Sequence, residues 1–230
     1  MSFGRSVLLV AACALAACAS TSNVPPRQPD HGGIAIRVKV RAPVRIISQR
    51  PSQVLFVRLS GPGGSVADGE LVPSNHEQDG YVFLLNALPG TYVAVTCFKD
   101  MERAPVTVAS SSNFSVSFRP SPSNYTTYFP EEMIRQTEVI VPAGGIAFMG
   151  EYVVDQSVGL KGADPTQLHF YSRFGDGDED EGLLENAFGG DYHYRGALHE
   201  STQDEEARAD FREACDGRLV EAGWSPVTER

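Results

Sequence analysis

Positive charge, cysteine and long apolar runs are all scarce in this sequence. Its 230 residues carry 19 Lys and Arg against 29 Asp and Glu, a net charge of −10. A nucleic-acid-binding face needs a basic surface to displace counterions from phosphates, so the balance argues against a nucleic-acid partner. Beyond residue 17 no apolar run reaches the ~18 residues of a membrane-spanning helix. No Gly-x-Ser-x-Gly elbow and no His-Glu-x-x-His pair occurs. Gly61-Pro62-Gly63-Gly64 is a turn rather than a phosphate loop, because no Gly-Lys-Ser/Thr follows it. Gly63-Gly64-Ser65-Val66-Ala67 only partly echoes a nucleophile elbow, without the strand–elbow–helix context. Strands and helices do not alternate, which argues against a Rossmann-like enzyme. At 42% hydrophobic and 9% aromatic the chain is rich enough to build a core, and its length suits one domain or two small ones.

One cationic residue, Arg5, precedes an apolar stretch from Val7 to Ala17, the layout of a secretory signal. Leu15-Ala16-Ala17-Cys18 then resembles the lipobox of bacterial lipoproteins. The resemblance implies a signal peptide over 1–17, cleavage before Cys18 and acylation of its thiol, with palmitate among the chains. Val10-Ala11-Ala12-Cys13 fits the short pattern but leaves too short an apolar region before it. The alternative is an ordinary signal cut near Ala19. Ala19 and Ser20, where inner-membrane lipoproteins often carry Asp, resemble the class sorted to the outer membrane, here facing the periplasm. Each buried methylene of an acyl chain contributes ~0.8 kcal/mol, and more than one chain makes a stable membrane anchor. Residues 18–33, rich in Ser, Pro and Gly, are expected to form a flexible tether reaching at most ~50 Å.

From Ile34 to Phe174 the pattern is β. Ile34, Ile36, Val38 and Val40 alternate with Arg37, Lys39 and Arg41, predicting a half-buried strand with a basic outer face. Further strands are predicted over Val54–Leu59, Tyr81–Leu85, Thr91–Phe98, Phe114–Phe118, Tyr125–Phe129, Glu138–Val141, Ile146–Val154 and Gln167–Phe174. Leu88-Pro89-Gly90-Thr91 predicts a tight hairpin and Pro142-Ala143-Gly144-Gly145 a second turn. The expected fold is mainly β, an antiparallel β-sandwich over 34–174. Gly80 to Thr96, GYVFLLNALPGTYVAVT, resembles carboxypeptidase-regulatory-like (prealbumin-like) modules over about residues 80–98. That resemblance implies an Ig/prealbumin-like sandwich acting as a non-catalytic accessory domain.

Residues 175–230 hold 16 acids and 5 bases, so the whole net charge lies there. Thr202-Gln203-Asp204-Glu205 resembles a capping box, and Phe211, Ala214, Cys215, Leu219 and Ala222 recur at helical spacing. One amphipathic helix is expected over about 203–222, ended by Gly223, with Trp224 folding back on its last turn. Cys97 and Cys215 either form a disulfide, permitted in an oxidising compartment, or remain two buried thiols.

Asp176, Asp178 and Asp180 in DGDEDEG place carboxylates at alternate positions, as a Ca²⁺ loop does, and Asp191 is a further candidate ligand. Glu181 and Ala187 stand where an EF-hand needs Gly and Glu, so a solvated acidic loop is the preferred reading and no cofactor is expected. His169, Asp191, His193, Tyr194 and His199 make up a weak candidate zinc or acid–base cluster. Tyr125, Tyr128 and Phe129 are candidates for an aromatic glycan platform, although aromatics in strands are more often core. The function these features favour is a lipid-anchored envelope module that binds a protein partner and is not an enzyme. The alternatives are an envelope hydrolase or a Ca-dependent or carbohydrate-binding accessory module.

Overall fold

The computed structural model describes residues 24–42, 48–101, 106–111, 114–118, 123–174 and 191–227. Among the described residues, fourteen strands and four helices follow one another as β1 (Gly32–Arg41), β2 (Ser48–Gln49), β3 (Gln53–Leu59), β4 (Glu70–Pro73), β5 (His76–Gln78), β6 (Tyr81–Ala87), β7 (Gly90–Met101), β8 (Val106–Ser111), β9 (Phe114–Phe118), β10 (Ser123–Tyr128), α1 (Glu131–Gln136), β11 (Val139–Val141), β12 (Gly145–Val158), α2 (Pro165–Phe174), β13 (Asp191–Thr202), α3 (Glu205–Cys215), α4 (Arg218–Glu221) and β14 (Ser225–Val227). The chain is mainly β, as its alternating patterns require.

The strands form one open sheet in the order β4-β3-β7-β10-β13-β12-β1-β6-β5, with β11 on β7, β14 on β12 and β2 on β1; β8 and β9 pair separately. This sheet is mixed, which corrects the antiparallel expectation. β1 runs parallel to β12, β10 to β13, and β14 to β12. Parallel partners need long crossovers, and here more than a hundred residues separate β1 from β12, a relation no local pattern reveals. β4 and β5 belong to one stretch whose first part pairs with β3 and whose second part pairs with β6. Asn75 lies between them, its Nδ2 donating to the Leu85 carbonyl and its Oδ1 accepting from the Leu85 N–H, both at 2.8 Å.

Two buried clusters lie on either side of β1, β6 and β12. Ile34, Ile36, Val38 and Val40, with Val82, Leu84 and Met149, join Val54 and Phe56 of β3 and Val93 and Val95 of β7 in the larger one. Ala35, Tyr81, Phe83, Leu85, Ile146 and Phe148, from the intervening positions, join Ala207, Phe211, Ala214, Cys215, Leu219 and Trp224 in the smaller one. Strands buried on both faces read as continuous apolar runs, which explains YVFLL in β6. The anticipated hairpin at Leu88-Pro89-Gly90 does not form: β6 pairs with β1 and β5, whereas β7 pairs with β3, β10 and β11. Asn86 at φ 60° and Gly90 at φ 155° turn a corner that carries the chain from one part of the sheet to another.

Three further expectations change. Gln167–Phe174 is helix α2, not a strand. Its start is a reciprocal cap: Asp164 Oδ1 accepts from the Gln167 N–H at 2.9 Å, and Gln167 Oε1 accepts from the Asp164 N–H at 3.1 Å. Pro165 fills the first helical position, where its missing N–H is harmless. The helix expected over 203–222 is two pieces, broken at Gly217, whose φ of 73° leaves the helical region. Its cap is Asp204, accepting from the Ala207 N–H at 2.9 Å; Thr202 instead ends β13. The stripe Phe211, Ala214, Cys215 and Leu219 is buried as expected, and Trp224 folds back, its N–H on the Leu219 carbonyl at 2.9 Å. β13, from the acidic segment, is a central strand between β10 and β12.

Arg37 does not simply face water. Its guanidinium lies 4.0 Å from the centroid of the Tyr81 ring, donates to Glu151 at 2.9 Å and approaches Asp210 of α3 at 3.7 Å. The basic face of β1 thus helps dock the acidic helix.

Candidate binding cleft

A cleft of about 670 Å³ opens where the loop after β3 meets α1 and α2. Leu59, Val93 and Ile134 supply apolar lining; Gly63 to Ala67, Glu131, Arg135, Glu138, Thr166 and His169 complete it. Its walls are positioned by short-range chemistry. Asp164 ties the two helix starts together, since its Oδ2 also accepts from the Glu131 N–H at 2.8 Å. Thr137, fully buried, donates to the Ile134 carbonyl at 2.7 Å and accepts from the Ala94 N–H at 2.9 Å, fastening the end of α1 to β7. Gln167 anchors α2, with Nε2 donating to the carbonyls of Tyr128 (2.9 Å) and Gly196 (2.8 Å) on adjacent strands. On the loop, the Gly63 N–H donates to Glu138 Oε1 at 3.0 Å. Arg135 pairs with Glu131 one turn away.

His169 is the one imidazole in this lining, and its Nε2 is shielded from solvent with no hydrogen-bond partner among the described residues. Ser65, from the glycine-rich echo noted above, lines the same cleft. A second cleft of about 530 Å³ shares Leu59 and Ser65 and brings in Arg58, Asp68 and Glu70. Carboxylates, a hydroxyl, an imidazole and an apolar floor together suit a small polar ligand with an apolar side.

The other histidines lie elsewhere. His193 Nδ1 is 2.9 Å from the Tyr128 hydroxyl, and its ring packs against Tyr128 and Tyr171. His199 sits at the surface, 3.1 Å from Asp155. Asp191 pairs through its backbone with Asn124, and its side chain lies outside the described residues. Tyr194 stacks on Tyr125 at 6.0 Å and Tyr192 on the same ring at 5.0 Å; burial, then the neighbouring tyrosines, raise the Tyr194 hydroxyl above its usual pKa. The three histidines of the weak zinc or acid–base candidate thus have different surroundings, and the Asp191 side chain is not among those described. Among the described residues no three His, Cys, Asp or Glu side chains converge as metal ligands. Asp176, Asp178 and Asp180, like Cys18, lie outside the described residues.

Tyr128 and Phe129 are fully buried, and Tyr125 is half-buried in its tyrosine stack, so these three do not make one exposed platform. Cys97 and Cys215 are free thiols in different clusters, Cys97 in the larger and Cys215 in the smaller, separated by the sheet. Burial pushes both up to about 12. Sequence reasoning missed α1, Asp164 and Gln167; Asp-Pro-x-Gln, an N-cap followed by Pro and a capping-box Gln, was the available signal. Comparison with known protein families, curated proteins and solved structures finds no match to this chain.

Proposed function

We propose that this chain is a lipoprotein of a bacterial cell envelope, acylated on Cys18, that acts as a non-catalytic binding module on the periplasmic side of the outer membrane. The observation that carries the binding part is the acidic helix. α3 buries Ala207, Phe211, Ala214 and Cys215 and turns Glu205, Glu206, Asp210, Glu213 and Asp216 outward. A rigid row of carboxylates steers and orients a basic protein more than it adds affinity. The sandwich-like reading of the body is supported by one core shared between β1 and β6 and the strands β3 and β7, with which they do not pair.

Affinity capture from detergent-solubilised envelopes tests this reading, comparing the acylated chain with a Glu206→Gln/Glu213→Gln/Asp216→Asn variant. These three acids make no ion pair among the described residues, so the fold is expected to survive. A partner held by the native chain is expected to be lost from the variant and to weaken with salt. Equal retention at both charges refutes the acidic helix as the contact.

A second reading, an envelope hydrolase, is favoured by His169 and Ser65 sharing one cleft. Labelling by a serine-directed fluorophosphonate that disappears in both Ser65→Ala and His169→Ala would support it over the first. The Ca-dependent alternative rests on Asp176, Asp178 and Asp180, and calorimetry with Ca²⁺ at millimolar levels decides it.

A further inference from the structure

The segment expected to be a loose tether is in large part fastened to the domain. Val24 packs on the smaller cluster, and the Trp224 indole N–H donates to the Pro25 carbonyl at 3.0 Å. Asn86 holds the next stretch from both sides: its Nδ2 donates to the Pro26 carbonyl at 3.1 Å, and its Oδ1 accepts from the Gln28 N–H at 2.8 Å. The Arg27 N–H reaches the Ala222 carbonyl at 3.4 Å, and the Gly144 N–H donates to the His31 carbonyl at 2.9 Å. The Arg27 guanidinium lies over Gly144, close enough that a Cβ there would sit 3.0 Å from Nη1. Three elements far apart in sequence therefore hold one run of chain.

Only the six residue steps from Cys18 to Val24 remain between the lipobox cysteine and this clamp. Six steps span at most about 22 Å, under half the reach of a tether free to Gly33. The same end of the domain concentrates exposed apolar side chains. Of the five large hydrophobic residues exposed among the described residues, Leu88, Ile140 and Val220 lie on the β6–β7 corner, on β11 before the Pro142 turn and on α4, all joined by the clamp. The charges nearby are Arg27, Arg218 and Arg58, which donates to the Pro89 carbonyl at 2.9 Å, against Asp30, Glu221 and Glu70, the partner of Arg58; they are near balance and so not repelled by a lipid surface. At its far end β12 carries exposed Val158, about 40 Å from Gly145 along an extended strand.

We infer that the end of the domain formed by Asn86–Pro89, Ile140–Gly144 and Val220–Trp224 rests on the lipid surface in which Cys18 is anchored, with Leu88, Ile140 and Val220 in the headgroup layer. The inference rests on the acylation reading. Short apolar contacts of this kind add to an acyl anchor and fix orientation without spanning the bilayer. The acidic face of α3 and the β12–α2 end are thereby left to the periplasm.

The two readings are tested separately. Mass analysis of the chain purified from envelopes, beside Cys18→Ser, decides acylation. Placement is tested on the chain from Cys18 onward, coupled at Cys18 to a maleimide lipid. Phosphatidylethanolamine–phosphatidylglycerol vesicles carrying a dansyl-headgroup lipid receive it. Cys97 and Cys215 are buried and do not couple. Trp224, the single tryptophan, is the donor in the native chain, and a Val158→Trp variant, which keeps Trp224 and its bond to Pro25, adds a second donor at the far end whose transfer is read by difference. Several-fold stronger transfer from Trp224 is expected. Equal transfer, or more from position 158, overturns the placement. A Leu88→Glu/Ile140→Glu/Val220→Glu variant, folded by circular dichroism, is expected to lose part of the Trp224 transfer while staying bound. Unchanged transfer in that variant means the arm alone sets the height, and overturns the apolar contact.

Discussion

Gln167 is the side chain on which the second helix depends, and its replacement is the sharpest test of the physical account. It is 2% exposed and makes three side-chain hydrogen bonds: two donated by Nε2 to the carbonyls of Tyr128 and Gly196, and one accepted by Oε1 from the Asp164 N–H. Gln167→Leu keeps the volume but withdraws a donor from two buried carbonyls and half of the capping box. A buried polar group left without its partner costs about 1–3 kcal/mol and a helix cap about 1, so a loss of about 3 kcal/mol is expected. For a domain of this size that lowers Tm by about 6–12 °C. Gln167→Glu places a carboxylate oxygen against one or both carbonyls. Burial and that repulsion raise its folded pKa above the unfolded ~4.3. The carboxyl is then most compatible with the fold below about pH 4.3, and the fold loses stability as pH rises through the higher folded value. Thermal unfolding followed by circular dichroism between pH 4 and pH 8, each variant referenced to the native chain, reads both effects. The Gln167→Leu deficit is expected to stay level with pH and the Gln167→Glu deficit to grow towards pH 8. A Gln167→Leu chain within about 2 °C of native, or a Gln167→Glu deficit that does not change with pH, refutes the argument.

The buried thiols give a second pH effect. Burial raises Cys97 and Cys215 to about 12, above the ~8.5 of a free thiol, so the folded state holds their protons more tightly. Their contribution is complete below about pH 8.5 and is lost as pH rises towards 12; denaturant titrations at pH 8 and pH 10.5 are expected to show the fall, smaller in a Cys97→Ala/Cys215→Ala chain. Neither thiol is expected to be alkylated at pH 8 without denaturant, as intact mass would show. Arg37→Met removes the contacts with Glu151 and Asp210 and leaves Glu151, 20% exposed, with the Tyr81 hydroxyl at 2.5 Å as its remaining donor among these groups. A loss of about 1–2 kcal/mol is expected, discounted from a fully buried pair because both partners are partly solvated. Hydrogen exchange is expected to rise in α3 first; a rise confined to other elements refutes the role of Arg37 in docking that helix.

Local periodicity made most of the strands legible. β1, β3, β6, β7, β9, β11 and β12 fall on runs whose apolar residues alternate or fill the run, because a strand's face is decided two residues at a time, whereas β10 was legible from its aromatic and β-branched residues. The stripe from Phe211 to Leu219 and the return of Trp224 were legible for the same reason, as was the weakness at Gly217. Gln167–Phe174 reads as a strand because Leu168, Phe170 and Phe174 also suit a period of two; only Phe170 of these is fully buried, and Leu168 is exposed. Asp164, Pro165 and Gln167 together form the cap that favours the helix. β13 carried a weaker signal, with only Tyr192, Tyr194 and Leu198 at alternate positions. Its sequence, DYHYRGALHEST, is polar, and its central place comes from pairing with β10 and β12 rather than from its own apolar content.

What the sequence alone determined is what each short segment can bury and where the chain must turn. Those properties follow from side-chain chemistry within a few residues, and they are the source of the mainly β class, the corner at Pro89-Gly90 and the amphipathic α3. Which strand lies beside which was decided only by the tertiary structure. So was the separation of Cys97 from Cys215, the different surroundings of His169, His193 and His199, and the clamp on residues 25–31. Backbone hydrogen bonds make the strand pairings, and every residue but proline offers the same donor and acceptor. Partners for them are chosen by the shape of the whole core, in which segments more than a hundred residues apart must fit at once.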